Sequence, residues 1–397
     1  MVQERQVAQS RLGKRTRKRS EHLWTLILDK SVDSVRFRRD FQRTKTFDTP
    51  RTTPSWQQHE NDIDLKALAN HSPILYEQTT TQFKMTASLE KRRESVHVEI
   101  SPDERRTGKI SKQNLEKAVV ALSEDGVVVL DNAVAEERLD FLNPRMVEEA
   151  KTLRESSSTW FNYNSKAQNI LQHMIPEPEY LLPDVHANPF AMEVCRTMMG
   201  PRPVLRYHKA NTNFPGESRQ PVHSDVHYEH PRACFSLAVN VVLIDCSPEN
   251  GSTECWLGTH TTTKFADQNG MSGIHQHLLD ERSQTHGAPV QPTVKKGGII
   301  IRDMRLWHAG MPNRTADKVR VMLNLIFFAD WYRSPMTIQF PKSAESKIRQ
   351  IEKEGGIQIA AEFVDELDHR TLGHTHDFGQ DDKREEFGRW HHKIATK

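Results

Sequence analysis

Three residues of this chain could together bind one metal ion: His223, Asp225 and His308. His223 and Asp225 stand two apart in QPVHSDVHYEHP, and His308 follows 83 residues later in RDMRLWHAGMPNRT. Residues two apart in a strand point to the same face, so His223 and Asp225 can chelate an ion from one side. Two imidazoles and one carboxylate on one face of an octahedral ion leave three positions open. That arrangement suits Fe(II) and oxygen chemistry better than structural zinc.

The sequence around His308 strengthens this interpretation, because a lone H-x-D occurs by chance in a chain with 20 histidines. KKGGIIIRDMRLW before it predicts a turn and a buried strand, and KVRVMLNLIFF after it predicts another strand. The second strand contains Arg320, and a guanidinium among apolar residues needs an anion. One carboxylate of a dicarboxylic cosubstrate would supply it. Arg314 is the competing candidate, although N-R-T after a proline is typical of an exposed turn.

The elements that must position these residues are predicted to be helices first and then many strands. SKQNLEKAVVALSEDG predicts a helix ending at Gly126, VVVL a buried strand, and EERLDFLNPRMVEEAKTLRE a helix broken at Pro144. PVLRYHKANTNF and FSLAVNVVLIDC predict strands on either side of the ligand pair. We therefore expect a fold that is mainly β with packed helices, built on a double-stranded β-helix of the jelly-roll or cupin type.

Four ordered segments between about Ile110 and Trp331 resemble the phytanoyl-CoA dioxygenase family of Fe(II)- and 2-oxoglutarate-dependent oxygenases, particularly its fungal secondary-metabolite members. They are LSEDGVVVLDNAVAEERLD, HSD, ENGSTECWLGTH and GGIIIRDMRLWHAGMPNRTADKVRV. The resemblance covers a little over half of the chain. It implies that the three candidate ligands bind iron.

The same resemblance implies that Arg320 holds the distal carboxylate of 2-oxoglutarate and that Thr253, on the NGST turn, donates a hydroxyl to it. The chain departs from the family pattern at two places. Pro221 stands where many relatives have a glutamine, and Gln220 lies one step earlier, which predicts that it points to the wrong face. Gly310 stands where phytanoyl-CoA hydroxylases often have a serine.

Other polar residues near the motifs have competing roles. His227 and His230 offer an alternative ligand set, but a place at the substrate mouth or in solvent is favoured. His260 closes the GTH turn and is expected to be structural. Asp303 and Arg305 share one face of a strand and are expected to pair or to shape the pocket.

Other metal chemistries fit the sequence less well. It contains no H-E-x-x-H motif, and its four cysteines form no C-x-x-C pair, which argues against a zincin and against a thiolate zinc site. Cysteines spaced in this way suggest a reducing compartment. Asp225 also argues against a halogenating relative, which would need a small residue there so that chloride could bind iron.

Composition divides the chain into three parts. Residues 1–84 are predicted to be a basic, polar and disordered extension, since the first 50 residues hold 13 Lys or Arg and 6 Asp or Glu, a net of +7. This part lacks a secretory signal and a membrane span. Residues 85–338 would form the dioxygenase domain, and Met85 would be a plausible alternative start. Residues 339–397 are predicted to be a charged, helical or irregular extension.

The functional expectation is an enzyme that uses Fe(II), 2-oxoglutarate and O2 to oxidise, by hydroxylation as the default outcome, a small organic molecule with release of succinate and CO2. A non-catalytic metal-binding barrel that acts as a sensor or scaffold is one alternative. An oxygenase of a protein or nucleic acid is another. We expect a cytoplasmic location, and nuclear import through the basic cluster is the alternative. The core is expected to bind neither membranes nor nucleic acid. A homodimer is compatible with the sequence.

Overall fold

The structure is a computed structural model that describes residues 94–156, 159, 161–164, 168–373 and 378–380. The predicted extension over residues 1–84, including the basic cluster, and the alternative start at Met85 lie outside the described residues. So do residues 381–397.

The strands are β1 (His97–Glu99), β2 (Val127–Asp131), β3 (Asn169–His173), β4 (Val204–Asn213), β5 (Ser236–Val242), β6 (Glu254–Cys255), β7 (Ile299–Asp303), β8 (His308–Ala309), β9 (Arg320–Phe328), β10 (Ile338–Pro341), β11 (Gln358–Ile359) and β12 (Ala361–Val364). The helices are α1 (Pro102–Thr107), α2 (Lys112–Glu124), α3 (Glu136–Glu155), α4 (Pro183–His186), α5 (Pro189–Met199), α6 (Gln276–His286) and α7 (Glu345–Gly355).

Eight strands form the main sheet, in the order β1-β2-β7-β5-β9-β4-β11, with β3 also paired to β4. The pairs within β2-β7-β5-β9-β4 are antiparallel. The central strands β5 and β7 are buried along their whole length, and β9 is buried except at Asn324. This burial explains why their sequences are apolar on both alternating faces.

A second, shorter sheet supplies the other wall of the fold. We call it the short sheet: it contains β6 and β8, and single bridges extend it from His308 to His223 and from Cys255 to Val290. Together with the main sheet and the helices it confirms the predicted fold class, which is mainly β with packed helices around a jelly-roll core. Among the described residues, no helix is long and apolar enough to cross a membrane.

The helices cover the edges and outer face of the main sheet, and one of them differs from its prediction. Helix α3 continues through Pro144, which was expected to break it. Proline removes one backbone hydrogen bond and crowds the preceding turn. However, Leu139 and Leu142 before it and Met146 after it are all fully buried in the core. Packing on both sides of the proline therefore keeps the two halves in one helix.

The helix predicted in the C-terminal region is present as α7, and this region packs against the rest of the fold. β11 pairs in parallel with β4 at the edge of the main sheet. Ile348 and Ile351 of the predicted helix α7 are buried in the same core cluster as the sheet, and Phe378 joins them. These residues therefore complete the core.

Candidate metal centre and cosubstrate pocket

His223 and His308 face each other across the short sheet. The backbone N–H of His223 donates to His308 O at 2.9 Å, and the N–H of His308 donates to His223 O at 2.8 Å. The N–H of Asp225 donates to Met304 O at 3.0 Å, so the ligand pair runs alongside the chain that leads into β8. The predicted strand around His223 is reduced to this one bridge, but it still turns the His223 and Asp225 side chains towards the same point.

The three side chains converge on a common point. Asp225 Oδ1 lies 3.7 Å from His223 Nε2 and 3.6 Å from His308 Nε2. All three ligand atoms lie within 4.8 Å of one another. Neighbouring ligands of an octahedral ion, each about 2.1 Å from it, are separated by ~3 Å. The donor atoms therefore need to move by less than ~1 Å to hold one ion, and their types fit Fe(II).

Backbone carbonyls orient both imidazoles for metal binding. His223 Nδ1 lies 2.9 Å from Pro221 O, and His308 Nδ1 lies 3.0 Å from Leu306 O. A carbonyl only accepts, so Nδ1 carries the proton and Nε2 presents its lone pair. Arg302 Nη1 also lies 3.2 Å from His308 Nδ1, but a guanidinium only donates, so that contact would require the opposite tautomer. We assign the tautomer that the shorter Leu306 contact favours.

Arg302 orients the carboxylate of the candidate ligand Asp225. Its Nη2 donates to Asp225 Oδ2 at 2.7 Å, which leaves Oδ1 facing the two imidazoles. Although burial alone would raise the pKa of Asp225, the Arg302 guanidinium and the two imidazoles hold it well below its usual range. Burial lowers the pKa of His223 to about 4 and that of His308 well below its usual value. At neutral pH the site therefore holds two neutral imidazoles and one carboxylate, the protonation states that metal binding requires.

The metal site opens into a cavity of about 520 Å³. Its walls combine the short sheet with the face of the main sheet that carries Arg302 and Arg320. Five asparagines and several aromatic residues line it, namely Asn162, Asn169, Asn211, Asn240, Asn324, Tyr163, Tyr207, Tyr228 and Phe378. The ring of Tyr163 lies 4.6 Å from that of His223, and Tyr163 has a φ of 53°, which is rare for a residue other than glycine. A cavity of this size and mixed polarity is typical of small-molecule sites.

Arg320 contributes a buried positive charge to the cavity wall. Its side chain donates to Gly251 O at 2.9 Å and to Asn211 O at 3.4 Å, and its Nε has no hydrogen-bond partner. No acidic side chain in the described part of the chain pairs with it. A buried guanidinium without a counter-charge is costly, so this position fits an anionic ligand such as a carboxylate.

The remaining predicted cosubstrate residue, Thr253, also lines the cavity, two residues after the Gly251 carbonyl that Arg320 contacts. Gln220 lines it as well, so the prediction that it points to the wrong face is wrong. The chain between Gln220 and His223 is not a regular strand, and strict alternation does not apply there. The Gln220 Oε1 accepts a hydrogen bond of 2.7 Å from the N–H of Gly310.

The other predicted polar residues lie in distinct places. His227 lines the cavity, whereas His230 is buried beside Phe235 and is not among the lining residues. Asp303 and Arg305 form a buried ion pair at 2.6 Å, as the shared face predicted. Two other residues lie apart from the cavity lining. Arg314 is exposed and pairs with Glu217 at 3.4 Å, and His260 is buried in the turn Thr259–Thr261.

Sequence reasoning missed Arg302, although it lies in the segment that was singled out before His308. The signal was available, because Arg302 is a charged residue inside the apolar run IIIRD and therefore needs an acidic partner. Tyr163 and Tyr207 were also missed. No local pattern distinguishes them from ordinary core aromatic residues, and only the fold brings them to the cavity.

A His-x-Asp and a distal histidine in a jelly-roll cavity, with an unpaired buried arginine, define an iron- and 2-oxoglutarate-dependent dioxygenase. Fe(II) is its metal, and 2-oxoglutarate and O2 are its cosubstrates. The chain belongs to the phytanoyl-CoA dioxygenase (PhyH) family, whose model matches residues 122–322.

Three individual proteins are similar to this chain at low sequence identity. Dioxygenase af480 of Aspergillus fumigatus is 27% identical over 234 residues, which cover 56% of this chain and 70% of that protein. Among solved structures, EctD from S. alaskensis with 2-oxoglutarate and 5-hydroxyectoine is 21% identical, with a TM-score of 0.43 over 55% of this chain and 76% of EctD. The epimerase SnoN in complex with Fe3+, alpha ketoglutarate and nogalamycin RO is 14% identical, with a TM-score of 0.42 over 55% of this chain and 84% of SnoN.

Proposed function

We propose that this dioxygenase hydroxylates a small organic molecule and that His223, Asp225 and His308 are its iron ligands. Arg320 and Thr253 would bind the distal carboxylate of 2-oxoglutarate. The observation that carries the proposal is the convergence of the three donor atoms within 4.8 Å, in the same cavity as a buried and unpaired Arg320.

The bound metal and cosubstrate supply, with O2, the oxidative decarboxylation of 2-oxoglutarate to succinate and CO2 and the oxidising power for the substrate. The protein's part is to orient the metal ligands and to hold the cosubstrate. The carbonyls of Pro221 and Leu306 keep Nδ1 protonated, so that each Nε2 faces the metal. Arg302 holds one carboxylate oxygen of Asp225 and leaves the other free. Arg320 presents a fixed pair of donors, which suits a planar carboxylate.

The cavity supports a small-molecule substrate over a macromolecular one. Its volume of about 520 Å³ lies within the range of ligand pockets. The asparagine side chains that line the cavity can donate and accept hydrogen bonds, so they fit a substrate with several polar groups. Tyr207 and Phe378 provide aromatic surface in the same cavity. This combination favours an oxygen- or nitrogen-containing organic molecule that is partly apolar.

Anaerobic titration with Fe(II) and 2-oxoglutarate tests the ligand assignment. We expect the weak visible absorption band of an iron-chelated 2-oxo acid in the wild-type protein. Asp225→Ala should lose it, and Asp280→Ala, at an exposed aspartate on α6, should retain it. Iron binding without the band would contradict the cosubstrate role of this cavity and would favour a metal-binding scaffold. A band that survives in Asp225→Ala would exclude Asp225 as a ligand.

A further inference from the structure

Lys209 is a buried lysine of β4, on the strand face that carries two residues of the cavity wall. Alternation along the strand places it on the same face as Tyr207 and Asn211, which both line the cavity, while Lys209 itself is not among the lining residues. Only 7% of Lys209 is exposed. Lysine is almost never buried to this extent unless it is paired, so its position requires an explanation.

The neighbours of Lys209 across the sheet carry no negative charge. It lies opposite His173 of β3 and Asn324 of β9. Asn324 lines the cavity and accepts a hydrogen bond of 3.0 Å from Asn240. The ammonium lies 5.3 Å from the centre of the Tyr207 ring, an attraction that offsets only part of the cost of burying a charge.

Lys209 also differs from the other buried basic residues. Of the lysines and arginines that are buried in the described part of the chain, Arg302 pairs with Asp225 and Arg305 pairs with Asp303. Arg320 is unpaired and is assigned above to the cosubstrate. Lys209 has no acidic partner among the described residues. Burial lowers its pKa to about 8, so the ammonium is still mostly charged at neutral pH.

Among the groups that the structure describes, the charge balance of the loaded site contains no anion for this lysine. The two positive charges of Fe(II) are matched by the two negative charges of 2-oxoglutarate, and Asp225 matches Arg302. Arg320 then leaves one excess positive charge, and Lys209 adds a second. A cavity that carries excess positive charge favours an anionic substrate.

We infer that Lys209 is a specificity-determining residue that binds a carboxylate of the substrate, and that the substrate is therefore a small organic acid. The inference rests on the proposed function and deepens it. The rings of Tyr207 and Phe378, which meet at 5.5 Å, would contact the apolar part of the acid beside its carboxylate. The charged hydrogen bond would select the acid over neutral analogues of the same shape.

Matched acids and primary amides test this selectivity. The probes are benzoate, phenylacetate and 3-phenylpropanoate with their amides, titrated calorimetrically into the anaerobic protein loaded with Fe(II) and 2-oxoglutarate. We expect the wild-type protein to bind at least one acid about tenfold or more tightly than its amide. Lys209→Met, which keeps the length of the aliphatic stem but removes the ammonium, should lose the preference, and Lys209→Arg should retain it. Lys264→Met removes an exposed lysine and should leave the affinities for acid and amide unchanged.

A direct signal from the ammonium gives a second readout. In protein labelled with ¹³C at lysine Cε, the Lys209 resonance is identified by its absence in Lys209→Met, and it should shift when the acid is added and stay unchanged with the amide. Equal affinities for acid and amide in the wild-type protein, or a preference that survives in Lys209→Met, would overturn the inference. A weaker affinity of Lys209→Met for 2-oxoglutarate, with unchanged acid selectivity, would assign Lys209 to the cosubstrate and would also overturn it. The absorption band reports the proposed function separately, because it requires iron and 2-oxoglutarate but no substrate.

Discussion

Replacing Arg320 by methionine separates ligand binding from folding, because this arginine has no charged partner within the described part of the chain. The substitution keeps an unbranched apolar stem, without the guanidinium, at a position that is 2% exposed. It removes two hydrogen bonds to backbone carbonyls, those of Gly251 and Asn211. It also removes the cost of burying an unpaired charge.

These two changes in stability oppose each other. Each lost hydrogen bond costs about 1 kcal/mol, whereas removal of an unpaired buried charge returns an amount of similar order or larger. We therefore expect the free energy of unfolding of the ligand-free variant to change by less than about 1.5 kcal/mol. Binding should change far more, because a carboxylate left in the cavity without its guanidinium loses about 3–5 kcal/mol. That loss corresponds to a 2-oxoglutarate Kd higher by about two to three and a half orders of magnitude.

Two assays measure the two effects. The visible absorption band, titrated anaerobically at saturating Fe(II), gives the Kd of 2-oxoglutarate. Thermal unfolding without and with 2-oxoglutarate gives the stability, and a ligand at 100 times its Kd should stabilise the wild-type protein by about 2.7 kcal/mol. The variant should show no such shift at the same concentration. Arg314→Met is the matched control, because Arg314 was the competing candidate and its side chain is 60% exposed.

If Arg320→Met binds 2-oxoglutarate as tightly as the wild-type protein does, Arg320 does not bind the cosubstrate carboxylate. An equal loss of affinity in Arg314→Met would also contradict a specific role for Arg320. A large loss of stability in ligand-free Arg320→Met would show that the guanidinium is satisfied within the fold, contrary to its unpaired Nε.

Three further perturbations test other contacts. Arg302→Met should raise the Kd for Fe(II) by about 10- to 100-fold, measured by competition with a chelator, because the carboxylate ligand loses the partner that orients it. Gly310→Ala should raise the Kd of 2-oxoglutarate by about tenfold, because its Cβ would lie 2.6 Å from Gln220 Oε1, and Gln220→Ala in the same chain should restore most of the affinity. His369→Ala should lower the free energy of unfolding by about 2–3 kcal/mol, measured by urea denaturation, because it removes a buried hydrogen bond of 2.9 Å and leaves the buried Glu149 carboxylate without that partner.

A control variant or a second measurement distinguishes each of these effects from a general loss of function or stability. For Arg302→Met, the 2-oxoglutarate Kd at saturating iron should stay unchanged, and an unchanged iron affinity would contradict the orienting role. Additive effects of the Gly310 and Gln220 changes would show that the two residues act independently. Arg370→Ala, next to His369 but half exposed, should change stability by less than about 0.5 kcal/mol, and an equal loss there would refute a specific role for the buried pair.

Much of the main sheet could be predicted because its strands are buried on both faces. The run FSLAVNVVLIDC contains β5, and every residue of that strand is buried. The run KVRVMLNLIFF contains β9, and the position of Arg320 inside an apolar strand predicted a buried charge. These signals are local, since an apolar run bounded by turn residues leaves few alternatives to a buried strand.

The predictions that failed depended on contacts between distant segments. Pro144 lowers the local tendency to form helix, but residues on both sides of it pack against the core and outweigh that effect. The sequence after residue 338 is mostly charged, and no local pattern indicates that Ile348 and Ile351 would pack in the same core cluster as the sheet. Arg302, like Arg320, stands inside an apolar strand, which indicates that it needs a partner, but that partner, Asp225, lies 77 residues away in sequence and could not be identified locally.

The two departures from the family pattern are best understood as one feature of the cavity wall. In sequence, the shifted Gln220 and the glycine at position 310 are two separate departures from the family pattern. In the structure the Gln220 amide occupies the space that a side chain at position 310 would need, and it accepts the hydrogen bond of the Gly310 N–H. Glycine at position 310 leaves room for the Gln220 amide, and Pro221 between Gln220 and the ligand pair contributes the carbonyl that orients His223. The cavity wall next to the candidate metal ligands therefore includes the polar side chain of Gln220, packed on Gly310.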